Sequence, residues 1–390
     1  MTRKFDFDTL VNRRGTGSYK WDTIEKDGVL PMWVADMDFQ TAPAIINALK
    51  KRVEHGVFGY TKVSESYYNA VISWFRKRHN WNIQRDWILY TSGVVPAMSC
   101  TLKALTLPGE KVLVQTPVYN CFFSSIRNNG CEITENRLIR QGYSYIIDFD
   151  DFEQKCADEK TTVFLLCNPH NPSGRVWNKE ELAKMNEICM KYGVKVISDE
   201  IHCELTMPGH SYTPFAAINE NCLNNSVTLN SPSKSFNIAG LQIANIICND
   251  VILRRKIDRA ININEVCDVN PFGPLALEAA YNESGEWLDE LKEYLYNNYI
   301  TLKNFFETNL PNLKVIRLEG TYLVWVDISK TGLSSEKAEE KLLKEGKILV
   351  NSGTMYGEKA GEGYLRINIA CPKKALLNGL ERIKKVFANL

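Results

Sequence analysis

The chain has 390 residues, 24% of them charged and 44% apolar, and 47 Lys+Arg against 46 Asp+Glu leave a formal net charge of +1. That length points to two domains, because single hydrophobic cores stop growing near ~250–300 residues. The composition excludes a disordered chain, a rod of sustained repeats, a bundle of membrane spans and a basic nucleic-acid surface.

The first eight residues alternate charge with aromatic rings and carry no apolar secretion segment, so a soluble cytoplasmic protein is expected. Eleven cysteines, an odd number without a Cys-x-x-Cys pair, read as reduced thiols inside apolar runs. The five histidines never pair at i, i+3 or i+4, and no metal site is expected.

Residues up to about 40 have no strong period and are expected to wrap onto the C-terminal part of the chain. Apolar spacing predicts a helix over 43–53, with Pro43 in its first turn and Gly56 beyond its end, and a second over 65–78. Short apolar runs at 111–115, 163–167, 194–198, 227–229 and 244–248 read as strands, and helical patterns such as 179–192 separate most of them. Nearly continuous apolar strands alternating with helices indicate an α/β fold with a mostly parallel sheet covered on both faces. After about 285 the pattern becomes α+β: a long amphipathic stretch at 286–310, strands at 322–328 and 364–370, and helices at 335–345 and 373–387. The division expected is a large domain, 45–285, and a small one made of 1–44 plus 286–390.

In open parallel sheets ligands bind beyond the carboxyl ends of the strands. There the sequence places Asn168-Pro-His-Asn-Pro-Ser-Gly174, Asp199-Glu-Ile-His202 and Asn230-Ser-Pro-Ser-Lys234, each directly after an apolar run. A glycine opens an apparent helix in Ser92-Gly-Val-Val-Pro96, where free N–H groups and the helix dipole favour an anion. Each piece alone is ordinary: Asn-Pro and Ser-Pro form turns, an Asp after a strand caps helices, and a single Lys is usually solvated. Together they match the needs of pyridoxal phosphate: a lysine for its aldehyde, a carboxylate for its ring nitrogen, a donor for its ring oxygen and an anion site for its phosphate.

These segments resemble those of the fold-type I pyridoxal-phosphate enzymes of the class I/II aminotransferase superfamily. Within it the chain is most similar to carbon–sulfur lyases of the cystathionine β-lyase and cystalysin type, which include the maltose-regulon modulator. Trp33-Val-Ala-Asp-Met-Asp-Phe39, Phe58-Gly-Tyr-Thr61, Pro117-Val-Tyr119 and Arg366-Ile-Asn-Ile-Ala370 extend the likeness over essentially the whole chain. The resemblance implies that Lys234 attaches the cofactor and removes the Cα proton, that Asp199 pairs with the ring nitrogen, and that Tyr119 stacks on the ring. It assigns Asn171 to the ring oxygen, and Gly93, Val94, Val95, Ser231 and Ser233 to the phosphate. It places Tyr60 at the phosphate of a neighbouring subunit, implying a homodimer with a shared site. Arg366 is expected to clamp the substrate carboxylate, with Asn171 and Ala35 beside it.

Two positions depart from typical aminotransferases. His202 stands where a tyrosine is usual and Gln242 where an arginine binds phosphate, as in the carbon–sulfur lyase branch. Tyr356 and His170 carry no assignment, and Asp36 is expected near the entrance. The function implied is β-elimination from L-cystathionine, L-cysteine or a related S-conjugate to pyruvate, ammonia and a thiol. An aminotransferase and a pyridoxal-phosphate-binding regulatory protein are the alternatives.

Overall fold

The computed structural model describes residues 4–24 and 28–388; Met1–Arg3, where the N-terminal alternation begins, lie outside them. A seven-stranded sheet forms the centre. In chain order its strands are β1 (Ile88–Thr91), β2 (Lys111–Thr116), β3 (Glu132–Arg137), β4 (Thr161–Cys167), β5 (Lys195–Asp199), β6 (Ser226–Asn230) and β7 (Ala244–Ile247). Their spatial order is β1-β7-β6-β5-β4-β2-β3, and only β7 runs against the direction of the other six.

Alternate residues of these strands feed two separate apolar layers. Val112, Val114, Val163, Leu165, Ile197 and Val227 pack with the helices Val94–Leu105 and Val251–Ile263. Leu113, Phe164, Leu166 and Val196 pack the opposite way, onto Phe149–Cys156 and Lys179–Lys191. Both faces are therefore dry, which is why the central strands read as unbroken apolar runs.

The period expected for 43–53 continues to His55, where Gly56 closes the helix with a left-handed φ of 72°. Two edge strands escaped the apolar pattern. β3 (Glu-Ile-Thr-Glu-Asn-Arg) buries only Asn136, and β1 is only four residues long.

The C-terminal part builds a second sheet from β8 (Lys314–Val315), β9 (Leu323–Asp327), β10 (Asn351–Ser352) and β11 (Tyr364–Asn368), ordered β8-β9-β11-β10 and antiparallel throughout. The long helix Gly285–Asn309 and the terminal helix Lys373–Phe387 contribute Trp287, Leu291, Leu302, Leu376 and Ile383 to the core beneath it. Residues from the N-terminus join this unit: Leu30–Pro31 pairs in parallel with Ile348–Leu349, and Phe7 lies 5.5 Å from the rings of Trp287 and Tyr294.

Candidate active site

Because β4, β5 and β6 run parallel in adjacent places, their carboxyl ends reach one edge together. Cys167 pairs with Asp199, and Asp199 with Leu229. The turns leaving these strands, the start of the helix Val94–Leu105 and the segment 33–39 enclose a cavity of about 300 Å³. Its lining includes Ala35, Gly93, Val94, Val95, Tyr119, Asn171, Asp199, His202, Ser233, Lys234 and Gln242.

The strand-end side supplies the charges. Lys234 Nζ donates to the carbonyl of Ala35 at 2.7 Å and forms no ion pair among the described residues. Burial foremost, reinforced by the charge of Arg366, lowers the proton affinity of this amine. Asp199 is buried, and one of its oxygens accepts from the Ile201 N–H at 3.1 Å. Burial pushes its carboxyl up to about 7, so the pocket favours a cationic partner for it. His202 is held down to about 3 by burial and by the charges of Lys234 and Arg366. It is therefore a neutral ring at ordinary pH, and its Nδ1 has no hydrogen-bond partner among the described residues.

Asn171 is fixed by its neighbour. Arg366 donates to its side-chain oxygen at 3.1 Å, which leaves the amide nitrogen as the donor toward the cavity. The turn carrying it ends at Gly174 (φ 74°), where a Cβ would stand 3.1 Å from Leu318 Cδ1 and 3.3 Å from the carbonyl of Arg317. His170, in the same turn, is tied to Ser173 Oγ at 2.8 Å and faces the carbonyl of Gln115 at 3.2 Å; it braces the turn and does not line the cavity.

At the other end Gly93 adopts φ 149° as the N-cap of the helix Val94–Leu105, a conformation disfavoured for a residue with a Cβ. The first-turn N–H groups of Val94 and Val95 have no intrahelical acceptor, and Pro96 in that turn has no N–H to offer.

The segment 33–39 is held from many sides. Arg13 donates to both Asp36 oxygens at 3.0 and 2.6 Å and to Asp38 at 2.7 Å. The buried Lys20 reaches Asp38 at 2.8 Å. Asn237, in a left-handed conformation at φ 55°, accepts from the Met37 N–H at 3.0 Å and donates to the Met37 and Phe39 carbonyls at 3.0 and 2.8 Å. Asn368 reaches the carbonyls of Val34 at 2.5 Å and Asp36 at 2.7 Å. The outcome is an Ala35 carbonyl aimed at the site, accepting from Lys234 and, at 3.0 Å, from the Tyr322 hydroxyl.

Three expected residues stand apart from the cavity lining. Ser231 donates its hydroxyl proton to the Ile243 carbonyl at 2.6 Å and accepts from the Ser233 N–H at 3.1 Å. It thus shapes the turn, and its proton is committed to that carbonyl. Tyr60 is fully exposed. Arg366 lies behind Asn171, buried, with its second terminal nitrogen 2.9 Å from the Trp33 carbonyl. Arg13, Lys20, Asn237, Tyr322 and Asn368 escaped the sequence reading. Only Asn237 carried a local signal, an asparagine suited to a left-handed position.

The cavity fits pyridoxal phosphate on these observations. Among the described residues it offers an amine without a carboxylate partner, a buried carboxylate without an ion-pair partner, an orphaned His202 Nδ1, an amide donor and a helix start with free N–H groups.

Residues 28–383 match the family model described as aminotransferase class I and II. The chain is 45% identical over 383 residues to cystathionine β-lyase PatB of Bacillus subtilis, covering 97% of this chain and 99% of that one. It is 31% identical to protein MalY of Escherichia coli, covering 96% and 97%. Among solved structures, cystalysin from Treponema denticola, which contains a pyridoxal 5'-phosphate cofactor, superposes with a TM-score of 0.95 at 37% identity, covering 99% of both chains. The chain belongs to the class I and II aminotransferase family.

Proposed function

We propose that this protein is a pyridoxal-phosphate-dependent carbon–sulfur β-lyase that converts L-cystathionine, L-cysteine or a related S-conjugate to pyruvate, ammonia and a thiol. The observation that carries this reading is one cavity holding the unpaired Lys234 amine together with Asp199, Asn171 and the Gly93 helix start. Its similarity to PatB, a cystathionine β-lyase by name, directs the choice of reaction. Bound pyridoxal phosphate supplies an aldehyde for covalent attachment and an electron-poor ring that stabilises negative charge at the substrate Cα.

The chain's own residues do the rest. Lys234 would hold the cofactor and, once released by substrate, take the Cα proton at Nζ, for which a lowered proton affinity suits it. Asp199 would face the ring nitrogen and hold its proton in place. Asn171 Nδ2 would donate to the ring oxygen, Tyr119 cover the ring, and His202 line its edge as a neutral group. Gly93, Val94, Val95 and Ser233 would bind the phosphate, with Gln242 in the lining beside them. Arg366 would bind the α-carboxylate, a task its planar fork suits.

The reading extends to assembly and compartment. We assign Tyr60 to the phosphate of a second copy. Val53, Val57, Phe58 and Tyr60, close together in the chain, are all exposed, as residues of a subunit interface would be in one copy alone. All eleven cysteines are free thiols, in keeping with the reducing cytoplasm, and no described helix is long and apolar enough to cross a membrane.

The test is incubation of the purified holoenzyme with L-cystathionine, measuring pyruvate with and without a 2-oxo acid. Pyruvate formed equally in both supports the lyase. Conversion of the added 2-oxo acid to its amino acid, without pyruvate, would replace it with an aminotransferase, and no product in either would leave a binding protein.

A further inference from the structure

Arg366 is a buried cation with a peculiar set of partners. It is 4% exposed and donates to the Asn171 side-chain oxygen at 3.1 Å and the Trp33 carbonyl at 2.9 Å. Its Nε has no hydrogen-bond partner among the described residues. No carboxylate pairs with it there either; instead its guanidinium lies 4.6 Å from the centre of the Tyr356 ring. A buried charge needs compensation, and an aromatic face provides it without carrying a net charge.

Tyr356 is itself locked. It is 1% exposed, its hydroxyl accepts from Asn351 Nδ2 at 2.7 Å, and its ring meets that of Trp325 edge-on at 5.7 Å. Asn351 also donates to the Trp33 carbonyl at 3.3 Å, the same atom that Arg366 uses. The Tyr356 carbonyl accepts from the Val118 N–H at 2.7 Å, one residue before Tyr119.

We propose that Tyr356 is a positioning residue for carboxylate recognition: its ring holds the Arg366 guanidinium in place while leaving its charge free for the substrate. An aspartate in its place would compete with the substrate's α-carboxylate for the same fork. A smaller apolar residue would let the guanidinium shift, and reordering it would weaken binding. This rests on Arg366 taking the α-carboxylate, and it makes discrimination between an amino acid and its amide a property of residue 356.

The experiment changes the ring's face at constant shape. The holoenzyme is prepared with Tyr356→Phe and then with phenylalanines at 356 carrying increasing numbers of ring fluorines, which withdraw electron density from the face. Dissociation constants for L-alanine and L-alaninamide, which have no leaving group, are read from the visible absorbance of the cofactor. L-Alanine is expected to bind nearly as well to Tyr356→Phe as to wild type. It should then weaken progressively, by about tenfold in all (~1.4 kcal/mol), while L-alaninamide stays unchanged. KM for L-cystathionine should rise in parallel with kcat nearly constant. If wild type distinguishes acid from amide but fluorination leaves both constants where they were, Tyr356 is packing only and the proposal fails alone. If wild type does not distinguish them, the reading of Arg366 fails and takes the proposal with it.

Discussion

The site joins two regions built on different principles. On the strand-end side, each functional side chain follows directly from an apolar strand, and dry layers above and below fix its position. Asp199 is the last residue of β5, and Lys234 stands four residues beyond the end of β6. On the opposite side, the segment 33–39 has no regular structure beyond its entry at Leu30–Pro31. It is placed by polar side chains of Arg13, Lys20, Asn237 and Asn368 that seize its carbonyls and carboxylates. The first region can carry strained electrostatics, including an unpaired amine and a carboxyl raised by burial, because its scaffold does not depend on them. In the second the charges are themselves the scaffold.

That contrast predicts opposite responses to mutation. Lys234→Ala should cost at least about a thousandfold in turnover, since the proposed reaction loses both attachment and proton transfer, yet leave the melting temperature of the cofactor-free protein within a few degrees. A large fall in stability there would erase the distinction between the regions.

Asp199→Asn should lower turnover by ~100-fold or more, each tenfold being ~1.4 kcal/mol, with cofactor still bound. The same variant has a pH signature. With Asp199 raised to about 7, the folded cofactor-free chain keeps a proton between about pH 4 and 7 that the unfolded chain has lost. This group's contribution to stability is therefore fully present below about pH 4 and declines as pH rises through 7. Urea midpoints measured at pH 4.5 and 7.5 should show wild type losing more than Asp199→Asn, by up to ~3 kcal/mol. Equal losses would mean that the carboxyl is not desolvated as the structure has it.

Arg13→Ala should do the reverse of Lys234→Ala. It removes both Arg13 hydrogen bonds from the Asp36 carboxylate, which keeps Lys20 at 3.4 Å, and one from Asp38; a stability loss of ~2 kcal/mol is expected in urea unfolding, with KM rising more than kcat falls. An unchanged unfolding midpoint would show that Lys20 and Asn368 hold the segment unaided.

The smallest effect is at Tyr60. On the proposed shared site, Tyr60→Phe would remove one hydrogen bond to a neighbouring copy's phosphate, worth ~1 kcal/mol, so cofactor affinity should drop by no more than about tenfold. In wild type, cofactor release and subunit dissociation should track each other on dilution. A monomer that retains its cofactor would refute the shared site.

The same contrast explains what could be read from the sequence. Strands with both faces buried announce themselves, as in Val163-Phe-Leu-Leu-Cys167, so the sheet and everything hung on its ends were legible. β3 was not, because an edge strand that buries one side chain in six has no reason to be apolar. The wall at 33–39 was visible only through family resemblance. Its supports lie up to 334 residues away, as between Val34 and Asn368, and asparagines that hold carbonyls leave no periodic trace. Ser231 shows the converse: a motif member whose position was readable, but whose hydroxyl serves the turn.

The pairing of Leu30–Pro31 with Ile348–Leu349 also sets an order in time. As the chain leaves the ribosome, the central sheet has all its strands once Ile247 has emerged. The opposite wall must wait for Arg366 and Asn368, more than a hundred residues later, while its own first strand has been idle since the start of synthesis. At translation speeds of roughly 5–20 residues per second, the strand-end groups have all been made several seconds before Arg366 and Asn368. The last turns of the polypeptide to be made are thus the ones that convert a cofactor cradle into an enclosed chamber.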